Sequence, residues 1–190
     1  MGTIILLVVV AAIAIWVIGA YNGLISLKNQ VINAWKQIDV QLKRRHDLIP
    51  NLVNTVKGYM QFEQTTLEAV ISARNKAVAA QGVSATARAE GELSQALGRL
   101  FALSENYPEL KSSGNVLQLQ EELTSTENKI GFARQLYNDV ATQYNTRQAQ
   151  FPTSLVAGLA QASPAELWEI EDAGERAVPG VDLSFNKPAA

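Results

Sequence analysis

The chain has no cysteine, a single histidine at position 46, two methionines and only six prolines. The first absence excludes a disulfide, a thiolate nucleophile and a cysteine zinc site, and it leaves the compartment unreadable from redox chemistry. One histidine excludes the Glu-x-x-His pairs on facing helices that hold a carboxylate-bridged di-metal centre. GxSxG, the Walker loop and any set of alternating strand segments are missing as well. Neither sign of charge dominates, since 16 Lys and Arg stand against 18 Asp and Glu. Without basic residues interleaved with aromatics, the footprint of a nucleic-acid binder is lacking, so no nucleic-acid partner is expected. No interval repeats as a solenoid would.

What is present is an alanine-, leucine-, glutamine- and glutamate-rich chain of 190 residues, long enough for one helical domain with a real core. Thr3 to Ala20 is eighteen residues without a charge, about 27 Å of helix, which matches the hydrocarbon thickness of a bilayer. A cleaved signal peptide is the competing reading. It lacks a basic start, and Ile18 before Ala20 spoils a small-x-small cleavage site. The expectation is an anchor over 1–21 that crosses a lipid bilayer, with Trp16 and Tyr21 near the outgoing interface. Lys28 and Lys36 follow the span and nothing charged precedes it in the side chains, so the positive-inside rule favours a cytoplasmic body and an outside amino terminus.

Helical spacing with no turn cluster then runs from Asn22 to about Gln81, predicting one long helix continuous with the span. Leu24, Val31, Ile38, Arg45, Leu52 and Tyr59 stand at seven-residue steps, and beside them Trp35, Leu42, Ile49 and Val56. "QGVSA" (81–85) offers Gly82 as a C-cap and Ser84 as the N-cap of a second helix to about Glu105. "NYPELKSSGN" (106–115) reads as a loop. A third long helix follows, with Val116, Leu123, Ile130, Tyr137, Tyr144 and Phe151 at unbroken seven-residue steps, a bundle or coiled-coil seam that Pro152 ends. "SPAE" from Ser163 suggests a last short helix with a Ser cap and Glu166 closing a capping box, before an extended or disordered tail to Ala190. The fold expected is all-α: a transmembrane helix followed by an up-and-down bundle of about four helices over 22–162, then 163–190 as short helix and tail. Because the first helix would far outreach its neighbours, part of its apolar stripe would be left uncovered, the main hint of self-association.

The densest run is "VQLKRRHDLIPNLV" (40–53). Pro50 lacks the N–H that would bond the carbonyl four residues back, so the helix should kink with the His46 carbonyl unpaired, the imidazole helping to solvate the defect. Asp39, Lys43 and Asp47 stand at i, i+4 and i+8 as a surface ladder. Arg45 occupies a core-stripe position, where a guanidinium needs a partner; Glu127 and Glu105 are the candidates. His46 beside Asp47 is no catalytic dyad, since adjacent helix residues point about 100° apart. Tyr137 with Asn138, and Tyr144 with Asn145, read as core tyrosines beside helix-capping or cross-linking amides. Residues 21–60 carry six Lys and Arg against two Asp and Glu, the rest of the soluble part ten against sixteen. Only Lys28 lies close enough to the span to feel a lipid surface.

"NAWKQIDVQLKRRHDLIPNLVNTVKGY" (33–59), "RLFALSENYPELK" (99–111) and "TENKIGFARQLYNDVATQYN" (126–145) resemble the three signature blocks of the LemA family of bacterial membrane proteins. The resemblance runs from about Tyr21 to Phe151 and is looser over "SPAELWEIEDAGERAVPGVDLSF". It implies an amino-terminal membrane helix, a four-helix bundle and a single-pass protein of the bacterial inner membrane, but no reaction. Some members carry lipoprotein signals, which for those implies a periplasmic body; one belongs to magnetosome membranes. No catalytic residue, cofactor or metal is expected, and Arg45, His46, Pro50, Glu127, Tyr137 and Tyr144 are expected to act structurally. The functional expectation is a membrane-anchored structural or interaction protein that forms a homo-oligomer or docks a membrane protein partner. An accessory role in membrane protein quality control or envelope stress is the alternative, and an enzyme the third reading.

Overall fold

With no proline before Pro50, the first helix, α1 (Gly2–Lys57), runs through 56 residues, past Gly19 and Gly23. The computed structural model describes residues 1–60 and 63–169. Five further helices follow: α2 (Gln64–Ala79), α3 (Val83–Ser104), α4 (Pro108–Lys111), α5 (Gly114–Ala149) and α6 (Ser154–Ala157). Among the described residues there is no strand. The first part of α1 is long and apolar enough to cross a membrane, and only 6% of that stretch is buried. A core helix of a soluble protein would be mostly buried, so burial favours the span.

Past the span, α1 and α5 lie against each other along their length, and the α2–α3 hairpin packs beside them. Arg45 pairs with Glu127, and Trp35 stacks edge-on against Tyr137, so rising numbers on α1 meet falling numbers on α5. The two helices are antiparallel. The seven-residue stripes of both form this seam: Leu24, Val31, Ile38 and Leu52 are buried on α1, and Val116, Leu123, Ile130, Tyr137 and Tyr144 on α5. The stripe of α1 is therefore covered within the chain, and the uncovered apolar surface expected from helix lengths is not there.

Three boundaries differ from the sequence expectation. The long helix stops at Lys57 instead of running to Gln81, with Gly58 as its C-cap and Met60 fully buried in the turn. Lys57 followed by Gly58 is a helix-stop signal, and Tyr59, expected in the stripe, is exposed. Leu67, Val70, Ala73 and Ala77 face the core from the separate α2. Gly82 caps the start of α3 at φ 84° while Ala80 ends α2, so Ser84 lies inside the helix and caps nothing. Within the expected loop, Pro108 opens the single turn α4. The third difference is at Ser163: residues 162–169 carry no helix. The tail from 170 on, with "VDLSF", lies outside the described residues.

The interior divides into two apolar cores. One gathers Ile49, Leu52, Val56, Met60, Val70, Leu93, Leu97, Leu100 and Leu110 at the far end of the bundle. The other gathers Leu24, Val31, Ile38, Leu42, Ile130, Tyr137, Ala141, Tyr144 and Trp168 toward the span. Between them lie Arg45, His46, Thr86, Glu90 and Thr126, all buried and all polar.

Candidate functional site

The polar layer is built on one carboxylate. Glu90 replaces an apolar residue on the inward stripe of α3, whose other buried members are Thr86, Leu93, Leu97 and Leu100, and its side chain is inaccessible to solvent. A buried carboxylate is tolerated only when its oxygens are taken by donors or cations. Arg45 Nη1 donates to Glu90 Oε2 at 3.0 Å, and His46 Nε2 donates to Glu90 Oε1 at 2.6 Å. The carboxylate has only acceptors, which puts the ring proton on Nε2. Arg45 Nη2 also donates to Ser94 Oγ at 2.8 Å. Glu127 Oε2 lies 3.1 Å from Arg45 Nη1, and Arg134 lies 3.5 Å from the other Glu127 oxygen.

Of the two partners expected for Arg45, Glu127 is therefore present and Glu105 is not. The buried partner of Arg45 is Glu90, which the sequence reading does not single out. Its signal was the same as that of Arg45: a charge standing on an apolar stripe. The Asp39, Lys43 and Asp47 ladder makes no ion pair with itself among the described residues. Pro50 lies within α1, and the His46 carbonyl it deprives of a donor accepts from Arg74 Nε at 3.2 Å. The imidazole is turned to Glu90, so the proline defect is satisfied by an arginine of α2 and not by His46 itself. His46 is 8% exposed, with its Nε2 committed to Glu90. Among the described residues no group of three His, Cys, Asp or Glu could hold a metal ion.

A second arrangement lies on the groove between α1 and α5. Asn138 Nδ2 donates to the Trp168 carbonyl at 2.9 Å while its Oδ1 accepts from the Trp168 N–H at 2.8 Å. Asn145 treats Ala165 in the same way, at 2.8 and 2.7 Å. Each amide thus reads both backbone groups of one residue. The spacing fits by geometry: two helical turns separate the asparagines by about 10.5 Å, and three residues of stretched chain span about 10 Å. This explains why "SPAE" forms no helix. The Ala165 N–H is held by Asn145, and Glu166 Oε1 accepts from Ser84 Oγ, so neither is left to close a capping box.

Side chains lock the segment down. Tyr137 donates its hydroxyl to the Glu166 carbonyl at 2.6 Å. Trp168, only 5% exposed, sits in a box made by Trp35 at 5.9 Å and the Arg134 guanidinium 4.8 Å above its ring, a cation–π contact. Burial raises the Tyr137 pKa above its ordinary value, with the nearby Glu166 charge adding to it. The Tyr144 hydroxyl is buried beside the Ser163 backbone, and burial raises its pKa as well. The asparagines were expected to cap or cross-link helices. They bind a peptide strap instead.

A family model for the LemA family matches residues 34–183. The protein LemA of Metamycoplasma hominis is 30% identical over 142 residues, which is 74% of this chain and 64% of that protein. The magnetosome protein MamQ 2 of Paramagnetospirillum magneticum is 24% identical over 181 residues, covering 82% of this chain and 66% of its own length. The MamQ of Magnetospirillum gryphiswaldense is 23% identical over the same extent. The chain thus spans slightly under two thirds of these curated relatives. With more than half of its length matched by one family model, the chain belongs to the LemA family.

Proposed function

We propose that the chain is a membrane-tethered interaction module of the bacterial inner membrane, held there by Thr3 to Ala20, which self-associates by lending its strap to the groove of a second copy. The observation that carries this reading is the pair of amide clamps, Asn138 on Trp168 and Asn145 on Ala165. Clamps that grip backbone N–H and C=O do not depend on which chain supplies the strand. Each contact made within one copy is available again between two, so exchange leaves the enthalpy nearly unchanged, as in domain swapping generally. Tethering to one bilayer raises the effective concentration of copies and offsets the entropy of association. The same groove supports a second reading. Clamps on backbone groups, with an aromatic box for one side chain, could take a stretched segment of another membrane protein that carries a tryptophan at that place, which suits an accessory role in quality control.

The chain has no native cysteine, which makes the test direct. Ser84 and Glu166 face each other across the strap. Two differently tagged copies, one carrying Ser84→Cys and the other Glu166→Cys, are co-expressed and treated with a short bismaleimide in native membranes. An adduct joining the two tags at dimer mass is the expected result. A doubly substituted copy that closes only on itself, with no mixed adduct, would overturn self-association through the strap. Adducts with another membrane protein would transfer support to the second reading.

A further inference from the structure

We propose that Phe151, Leu155 and Leu159 form an apolar foot that rests in the interfacial layer of the bilayer α1 crosses; the inference relies on the membrane reading above and is independent of strap exchange. Three observations lead to it. First, these side chains are 80%, 69% and 71% exposed, although each is large and apolar. They follow one another at four-residue steps. Thr153, Val156 and Ala160 of the same stretch are buried, so one side of it packs on the bundle while the other is apolar and bare. The stretch coils helically around α6 and ends when Gln161 turns to φ 47° and the Ala162 N–H reaches back to the Ala157 carbonyl at 3.0 Å, the six-to-one bond of a Schellman ending.

Second, the register places this stretch at the membrane end. The Arg45–Glu127 and Trp35–Tyr137 contacts each join residues whose numbers sum to 172, which sets Phe151 opposite Tyr21, one residue past the span. From the other side, the strap moves three residues for seven of α5, which brings Ala162 back to the same level. The stretch between them therefore lies at the membrane end of the bundle. Consistent with this, α6 touches both α1 and α5, and Ala20 at the end of the span is buried.

Third, the charge pattern fits a lipid surface better than a protein partner or water. Gln148 to Ala165 holds eighteen residues with no Asp, Glu, Lys or Arg, and Arg147 stands immediately before it. An uncharged stretch with aromatic and leucine side chains beside a single cation is the composition that settles at the headgroup boundary. Continuity with the span decides the occupant. A row at this level cannot avoid the bilayer unless another protein covers it.

The test uses the full chain in phospholipid vesicles, with an environment-sensitive fluorophore on a single introduced cysteine. At Leu155→Cys the emission should shift to the blue and be lost to spin-labelled lipid while resisting aqueous iodide. Phe132→Cys, equally exposed at 73% but halfway along α5, should show the reverse. Ile13→Cys reports the span itself. Lipid quenching at position 13 but iodide quenching at 155 would overturn the foot alone. Loss of lipid quenching at both would overturn the membrane reading together with it, and protection of 155 from both quenchers would overturn the foot in favour of a protein cover.

Discussion

Glu90 is the residue whose loss the fold should feel most. Glu90→Ala leaves Arg45 and His46 facing each other in the interior with no anion of comparable burial between them, and a broken buried pair typically costs about 3–5 kcal/mol. Glu127→Ala removes a carboxylate whose side chain is 43% exposed, and about 1 kcal/mol or less is expected. Denaturant unfolding of both variants, each combined with Arg45→Met, checks this: the coupling of Arg45 to Glu90 should exceed that to Glu127. Tyr137 supplies an alkaline probe. Its pKa is raised in the folded chain, so its contribution is complete below the ordinary tyrosine value and is lost as pH rises through the folded value. Tyr137→Phe should cost about 1 kcal/mol near neutral pH through the lost hydrogen bond and flatten the decline in melting temperature above pH 10. Arg45 was legible because it interrupts a seven-residue stripe. Glu90 stands on a shorter stripe with polar Thr86 before it, which hides the interruption.

At the scale of elements, the proline position in α1 and the strap each rest on a donor from elsewhere in the chain. Arg74 donates to the carbonyl that Pro50 leaves without its helical partner. Arg74→Ala should therefore cost about 1–3 kcal/mol in the native background and markedly less in Pro50→Ala, where an N–H at position 50 restores the backbone bond; a double-mutant thermal unfolding series measures the difference. Asn138→Ala combined with Asn145→Ala removes the four bonds to Trp168 and Ala165 and is expected to free the strap with the bundle intact. Trp168 emission should move to the red, and protease should cut near residue 165, while far-ultraviolet helix signal stays. The seven-residue repeats mark the stripes that form the α1–α5 seam, except at the last position, where Phe151 lies past the end of α5 and is 80% exposed. The α1–α2 break was less legible, because Gly58 follows a lysine in the middle of an apolar rhythm that resumes at Leu67. The strap could not be read locally: "SPAE" has the chemistry of a helix start, and only the two asparagines twenty to thirty residues earlier override it.

For the molecule as a whole, the proposed orientation gives a further measurement. A membrane-impermeant thiol reagent should label Ser113→Cys, at the start of α5, only after the cytoplasmic face is opened. Labelling of intact spheroplasts from outside would reverse the sidedness drawn from Lys28 and Lys36. The body then stands as a rod of about 55 Å, the length of α1 beyond the span, with the strap near its membrane half and the α2–α3 hairpin at its outer half. Fold class was fully legible at this scale, because periodicity reports which faces are buried. What covers each face was not, since a stripe does not say whether its cover comes from the same chain.

A perfect seven-residue rhythm carries an ambiguity that the polar layer resolves. Two helices with apolar residues at every seventh position fit almost as well when one slides by a full heptad, about 10.5 Å. Trp35 would tolerate either slide, meeting Tyr144 or Ile130 in place of Tyr137. Arg45 would not: sliding one way replaces Glu127 with Arg134, and the other way with Gln120. The ionic layer thus acts as an index mark on an otherwise repeating scale, and swapping it for well-packed methionine and leucine should yield a chain that is as stable but no longer settles at a single alignment.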